Sequence, residues 1–134
     1  MTRREDRRVA IDILYQADLT GASAADVMQE WRAAGQEVAP FADSVAVGVT
    51  ERQPDIDLLL ETHAQGWSVA RMTALDRTIL RVGVYELLWC DDVPTSVAIS
   101  EAVEAAAELS AEDAKRFVNG VLGRIAREEG LAPA

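Results

Sequence analysis

Residues 74–90 read ALDRTILRVGVYELLWC, and apolar side chains recur through this segment with the period of an α-helix. They cover most of the circumference when the segment is wound as a helix: Leu75, Ile79, Leu80, Val82, Val84, Leu87 and Leu88. A helix that is apolar on nearly all sides lies in the middle of a fold. We therefore predict that this helix is central and that other helices surround it.

The flanking segments are apolar on one side only, which is typical of helices that pack around a central one. These one-sided stripes are Ala10, Ile13, Leu14 and Ala17 near the start, Phe41, Val45 and Val49 further on, and Phe117, Val121 and Ile125 near the end. We predict a single all-α domain spanning residues 1–134. Its seven predicted helices cover residues 3–19, 24–34, 39–52, 54–65, 74–90, 95–109 and 111–129.

Residues that favour helix ends and starts support these boundaries. Glycines, which favour the left-handed conformation of a C-terminal cap, follow four predicted ends: Gly21, Gly35, Gly66 and Gly130. Prolines lie near three predicted starts: Pro40, Pro54 and Pro94. Three residue pairs match the capping-box spacing, with Asp in place of Glu: Ser23 and Asp26, Thr73 and Asp76, Ser110 and Asp113. We predict that a helix starts at each pair.

The composition excludes several classes of protein. Hydrophobic residues make up 49% of the 134 residues and charged residues 27%, which provides a core and argues against disorder. Cys90 is the only cysteine, so an internal disulfide framework is excluded. The N-terminus has no apolar signal segment, and no apolar run reaches the ~18–20 residues that a membrane span needs. We expect a cytoplasmic protein that does not contact membranes.

The sequence contains few residues that could form a catalytic site. His63 is the only histidine, and together with the single Cys90 it cannot build a usual zinc site. No glycine-rich phosphate loop follows a predicted strand. We expect no catalytic activity, no cofactor and no metal.

Charge is distributed unevenly along the chain. The net charge of −10 argues against general binding of nucleic acid, yet residues 1–8 carry four arginines and two acids. On a helical wheel, one ridge of the first helix holds Arg4, Arg8, Ile11 and Tyr15. Arginine binds phosphate in a bidentate manner and tyrosine stacks on bases, so this ridge is a candidate RNA surface. In the alternative interpretation, the arginines form salt bridges to the acidic body, and Ile11 and Tyr15 pack under the second helix.

The last helix carries a second candidate surface. Opposite its apolar stripe lie Arg116, Asn119, Gly120, Gly123 and Arg127. Each glycine inside a helix costs about 1 kcal/mol relative to alanine, so a structural reason for both is expected. We favour tight packing against another helix of the same chain; the alternative is close approach by another backbone or by a nucleic-acid strand. Arg116 and Asn119 are plausible contacts in either case.

Several segments together resemble one protein family. They are RREDRRVAIDILY at residues 3–15, DRTILRVGVYE at 76–86, VP at 93–94, VAISEA at 97–102 and KRFVNGVL at 115–122. In their order and spacing, these segments resemble the NusB family of transcription antitermination factors over nearly the whole chain. The phenylalanine-containing segment near the C-terminus is the most specific part of this resemblance.

The resemblance implies a fold of seven helices in two roughly perpendicular small bundles. It also implies binding of the boxA element of nascent ribosomal RNA, together with the ribosomal protein NusE and the transcription elongation complex. By position, the implied RNA contacts are Arg3, Arg4, Arg7, Tyr15, Lys115, Arg116 and Asn119, to which the helical ridge adds Arg8. The implied partner contacts are Asp76, Asp113 and Phe117. Asp12 stands where the family usually has Gln, which lowers the positive potential of the first helix.

Two other functions are compatible with the same residues. One is a helical accessory domain that works with a separate RNA-modifying enzyme. The other is an interaction module that forms a homodimer and buries its first helix in its own interface.

Overall fold

The computed structural model describes residues 2–131. Six α-helices and one 3-10 turn follow one another along the chain: α1 (Arg3–Thr20), α2 (Ala24–Ala33), α3 (Pro40–His63), the turn Val69–Arg71, α4 (Ala74–Trp89), α5 (Thr95–Leu109) and α6 (Ala114–Glu128). This described range contains no strand, and the all-α class is confirmed. The predicted number of seven helices is wrong by one.

Helix α4 occupies the centre, as predicted. It contacts α1, α3, α5 and α6, and its Ile79, Leu80 and Val84 side chains are fully buried. Helices α1, α2 and α3 pack on one another, whereas α5 and α6 pack on each other and on α4. Among residues 2–131, no helix is long and apolar enough to span a bilayer.

Helix α3 replaces the two helices that were predicted over residues 39–52 and 54–65. Pro54 lies inside it on the exposed side, where proline costs about 3 kcal/mol because it lacks an N–H and crowds the preceding turn. Apolar residues on both sides of the proline form one buried stripe: Val45, Val49, Ile56 and Leu60. Burying Ile56 and Leu60 contributes about 1.5–3 kcal/mol each, which outweighs the cost of the proline.

Three of the four predicted glycine caps and two of the three predicted helix starts are confirmed. All four glycines have positive φ: Gly21, Gly35, Gly66 and Gly130. Gly66, however, lies two residues after Ala64, the residue that caps α3. The hydroxyl of Ser23 accepts from the Asp26 N–H, and that of Thr73 accepts from the Asp76 N–H, each at 3.1 Å.

The predicted start at Ser110 is wrong. Ser110 caps the end of α5, and α6 begins three residues later than predicted, after Asp113. The Ser110 hydroxyl instead donates to the Asp76 carboxylate at 2.5 Å. This side-chain bond ties the end of α5 to the start of α4, so the hydroxyl is not available to cap α6.

Candidate nucleic-acid interface

Helix α1 begins with a capping box that was not predicted from the sequence. The Thr2 hydroxyl accepts from the Glu5 N–H at 3.1 Å, and the Glu5 carboxylate accepts from the Thr2 N–H at 3.4 Å. Such a box satisfies two unpaired N–H groups of the first turn. It therefore fixes the backbone from which Arg3 and Arg4 project.

Three arginines of α1 pair with carboxylates on α5 and on the loop before it. The pairs are Arg3 with Asp92 at 2.7 Å, Arg4 with Glu101 at 2.8 Å and Arg8 with Glu108 at 2.6 Å. Arg4 holds the pKa of Glu101 below its ordinary value, and Arg3 does the same for the pKa of Asp92. The predicted alternative, in which the arginines form salt bridges to the acidic body, is confirmed.

This pairing leaves the outer arginines within reach of a ligand. The side chains of Arg3 and Arg4 are 49% and 57% exposed, and that of Arg8 is 20% exposed. Arg3 also lies over the Phe41 ring, with its guanidinium carbon 4.3 Å from the ring centre. A phosphate can therefore approach these guanidinium groups from solvent without separating any helices.

Arg7 is placed differently from its neighbours, because its side chain is only 9% exposed. Its Nε donates to both carboxylate oxygens of Glu86 at 2.8 and 2.9 Å, and its Nη1 donates to Glu101 at 3.1 Å. Burial raises the pKa of Glu86, and the hydrogen bond from Arg7 opposes that rise. Arg7 thus holds α1 to α4 and offers no surface to RNA in this conformation, contrary to the outward orientation that was expected for it.

The remaining residues of the α1 ridge separate into two kinds. Ile11 is buried in the core, so it is not the surface contact that the helical wheel suggested. Tyr15 is half-buried, and Asp12 is exposed one turn after Arg8. The exposed part of the ridge therefore consists of Arg4, Arg8 and part of Tyr15.

The three predicted partner contacts lie together around one pocket. Asp76, Asp113 and Phe117 line a cavity of about 300 Å³ between the start of α4 and the start of α6. Trp67 is 49% exposed on its rim, and its ring meets the Phe117 ring edge-on at 6.2 Å between centres. The guanidinium carbon of Arg71, which also lines the pocket, lies 5.9 Å from the Trp67 ring centre.

Trp67 and Arg71 were not singled out in the sequence. The signal that could have identified Trp67 is its place directly after the cap glycine Gly66, in a short connection where a large aromatic residue has no helix to pack beneath it.

Helix α6 presents the other predicted RNA contacts. Lys115, Arg116 and Asn119 are exposed, and Asn119 borders a shallow groove between α6 and α5. A Cβ atom at Gly120 would meet only the Arg124 Nη1 at 3.6 Å, and one at Gly123 only the Arg127 Nη1 at 3.4 Å. Our favoured interpretation, that these glycines allow tight packing inside the chain, is therefore wrong.

Other glycines do allow close packing. A Cβ atom at Gly83 would lie 2.7 Å from Leu122 Cδ1, and one at Gly48 would overlap the Tyr85 ring. Both residues let α4 approach its neighbours α6 and α3.

The α1 ridge and the pocket adjoin the same end of α5. Arg8 reaches Glu108, the residue before the last of α5, and Ser110 binds Asp76 in the pocket. The basic ridge, the aromatic pocket and the start of α6 are consequently neighbours, although their residues are far apart in the sequence.

His63 and Cys90, the residues considered as metal ligands, do not form a metal site within the described residues. Within the described residues, no cluster of His, Cys, Asp and Glu is arranged to hold a metal ion. The Nδ1 atom of His63 lies 2.8 Å from the Leu59 carbonyl of its own helix. Burial raises the pKa of Cys90 to about 11, so this thiol stays protonated at neutral pH.

Comparison with known proteins agrees with this geometry. A model of the NusB family matches residues 4–127. The transcription antitermination protein NusB of Saccharopolyspora erythraea is 49% identical over 128 residues, which cover 92% of this chain and 86% of that protein. The NusB protein of Thermobifida fusca is 46% identical over 125 residues, covering 92% of this chain and 88% of that protein.

Solved structures show the same fold. A structure of T. maritima NusB superposes with a TM-score of 0.87 at 32% identity, covering 99% of this chain and 94% of that one. A crystal structure of the antitermination factors NusB and NusE in complex with dsRNA superposes with a TM-score of 0.82 at 25% identity, covering 96% and 99%. The resemblance predicted from the sequence is confirmed, and the chain belongs to the NusB family.

Proposed function

We propose that this protein is a transcription antitermination factor of the bacterial cytosol. It binds the boxA element of nascent ribosomal RNA in a complex with the ribosomal protein NusE, and it acts by affinity without catalysing a reaction. The observation that carries the proposal is the exposed arginine ridge of α1 beside an aromatic pocket. The fold is shared with a NusB that was crystallised with NusE and dsRNA.

The RNA contact on α1 is an exchange of ion pairs. Arg3, Arg4 and Arg8 hold carboxylates in the free protein. Phosphate and carboxylate both accept two hydrogen bonds from a guanidinium group, so a phosphate can replace the carboxylate with little change in geometry. The half-exposed Tyr15 lies further along the same ridge, where its ring can stack on a base.

The protein partner docks at the pocket of Asp76, Asp113 and Phe117. Aromatic residues that flank a concave surface are the usual anchors of protein interfaces, and the exposed Trp67 with the half-buried Phe117 forms such a pair. The two acidic side chains favour a partner with basic residues opposite them. Ribosomal proteins are rich in such residues because they bind RNA.

A pair of charge reversals tests the RNA face. The double variant Arg4→Glu, Arg8→Glu is expected to abolish the gel shift of labelled boxA RNA, with and without NusE, because two phosphate contacts become repulsive. The matched control is Arg32→Glu, Arg52→Glu, which changes the net charge equally at exposed positions on α2 and α3. Unchanged binding by the first variant, with native circular dichroism in both, refutes the assignment of the α1 face.

A further inference from the structure

We propose that the outward side of α6 holds the sugar–phosphate backbone of nucleotides that flank boxA, without reading their bases. This α6 face is defined by Lys115, Arg116, Gly120, Gly123 and Arg127. The inference rests on the proposed function, because it extends the same RNA strand beyond α1.

The first argument is the local charge. Residues 115–127 carry four cationic and no acidic side chains, in a chain whose net charge is −10. The rest of the chain therefore has a net charge of −14, which is −10 minus +4. Four acids, Glu112, Asp113, Glu128 and Glu129, flank this segment, so the positive charge is confined to α6, where it attracts a polyanion locally.

The second argument is that three of these four cations make no contact with a carboxylate, an aromatic ring or a main-chain oxygen within the described residues; the fourth, Arg124, donates to the His63 carbonyl. Ten of the thirteen Lys and Arg side chains contact a carboxylate, an aromatic ring or a main-chain oxygen in residues 2–131. The three others all lie on α6: Lys115, Arg116 and Arg127. On α1, by contrast, RNA must first displace carboxylates. The α6 face offers its charges without that competition.

The third argument is the shape of the face. Arg116, Gly120, Gly123 and Arg127 follow one another at the spacing of a single helical ridge. Alanine is a better helix former than glycine, and the chain has room for a Cβ at both glycines. Their retention leaves bare backbone beside guanidinium groups, because the Nη1 atoms of Arg124 and Arg127 lie 3.6 and 3.4 Å from where the Cβ atoms would be. A polynucleotide strand whose phosphates meet these guanidinium groups can therefore lie close to that backbone.

The α6 face suits RNA better than a protein. Protein interfaces rely on buried aromatic or aliphatic anchors, and this ridge has none, because Phe117 turns toward the pocket instead. The ridge also begins near the end of α5, where Arg8 meets Glu108. A strand that leaves the α1 ridge therefore reaches the α6 face across one short connection.

Two RNA lengths test the inference. The short probe is the boxA core, and the long probe carries additional uridines on both sides. For Arg127→Gln, loss of one phosphate contact lowers affinity for the long probe about 5-fold at ~0.1 M salt and reduces the salt slope by about 0.7. Affinity for the short probe stays the same. The control Arg52→Gln removes the same charge and leaves both affinities unchanged.

A second variant tests close approach without changing charge. Gly120→Ala, Gly123→Ala is expected to raise Tm by about 7 °C, because alanine favours the helix, and yet to weaken binding of the long probe. Improved stability together with weaker binding is a result that misfolding cannot produce. Unchanged binding of the long probe overturns the close approach.

The outcomes separate this inference from the proposed function. Failure of the short probe to bind wild-type protein and NusE together refutes the proposed function. Normal binding of the short probe, with no gain from the flanking uridines, refutes only the α6 face. A loss of NusE binding in Arg127→Gln assigns the face to the protein partner and also overturns the inference.

Discussion

Replacing Arg7 with methionine leaves the Glu86 carboxylate buried without its partner. Glu86 is only 2% exposed, and its side-chain hydrogen bonds within the described residues come from the Arg7 Nε. Glu101 remains paired, because Arg4 also binds it. Methionine preserves the apolar stem of the arginine, so the loss falls mainly on one carboxylate.

The magnitude follows from the burial. Removing one partner of a buried ion pair typically destabilises a protein by about 3–5 kcal/mol. An unfolding entropy of about 2 cal/mol/K per residue, applied to a domain of this length, turns that loss into a Tm lower by roughly 11–18 °C. This is a large part of the ~5–15 kcal/mol that stabilises a typical domain, so circular dichroism melting suffices to measure it.

The loss of stability in Arg7→Met is expected to increase with pH. Burial already raises the pKa of Glu86, and without Arg7 that pKa rises further. The folded variant then binds a proton more tightly than the unfolded chain, so its stability increases as pH falls through the folded pKa. The difference in unfolding free energy between Arg7→Met and wild type is therefore larger at pH 8 than at pH 5.

A double variant provides the control. Arg7→Met, Glu86→Leu removes both charges and should recover most of the lost stability, since an apolar pair of similar volume can replace a buried ion pair. Two results contradict the reasoning: a loss below about 1 kcal/mol for Arg7→Met, which is the size expected of an exposed pair, or a double variant no more stable than the single one.

Three further predictions concern the surface groups. Glu108→Gln frees Arg8 from its carboxylate and should strengthen boxA binding by roughly twofold to fivefold in a fluorescence titration, which is the range expected of an exposed ion pair. The control Glu51→Gln should leave boxA binding unchanged. Weaker binding by Glu108→Gln than by wild type would contradict the exchange of ion pairs. Phe117→Ala should weaken NusE binding at least 30-fold by calorimetry and leave binding of RNA alone unchanged, because it removes an aromatic anchor; equal effects on both ligands would place Phe117 at the RNA contact instead. With a pKa of about 11, Cys90 should react with a thiol reagent at pH 8 far more slowly in native protein than in urea, and equal rates would show that the thiol is not shielded.

The sequence predicted best what local chemistry determines. The caps at Ser23 and Thr73 and the central position of α4 required only nearest neighbours or the period of one helix. The predicted helix break at Pro54 was wrong, because the proline destabilises the helix only locally. The burial that compensates for it comes from contacts of Ile56 and Leu60 with the rest of the core, which the local sequence does not show. A proline on the exposed side of a helix is tolerated when the opposite side is fully packed.

The candidate site was harder to predict because its pairs are distant in the sequence. Arg7 and Glu86 are 79 residues apart, and Arg8 and Glu108 are 100 residues apart. A helical wheel gives the direction of each side chain on its own helix but not the helix that lies opposite. Spacing alone therefore could not distinguish Arg7, which is buried, from Arg8, which can still reach solvent.

The pairing of α1 also explains how an acidic protein can be selective for RNA. Any polyanion that approaches Arg4 or Arg8 must displace Glu101 or Glu108, so the net gain from one phosphate is smaller than for an unpaired arginine. Phosphates alone are then insufficient, and base stacking and the protein partner must supply the remaining free energy. In the proposed complex, the α6 cations that make no contact within the described residues add attraction for a strand that α1 already holds.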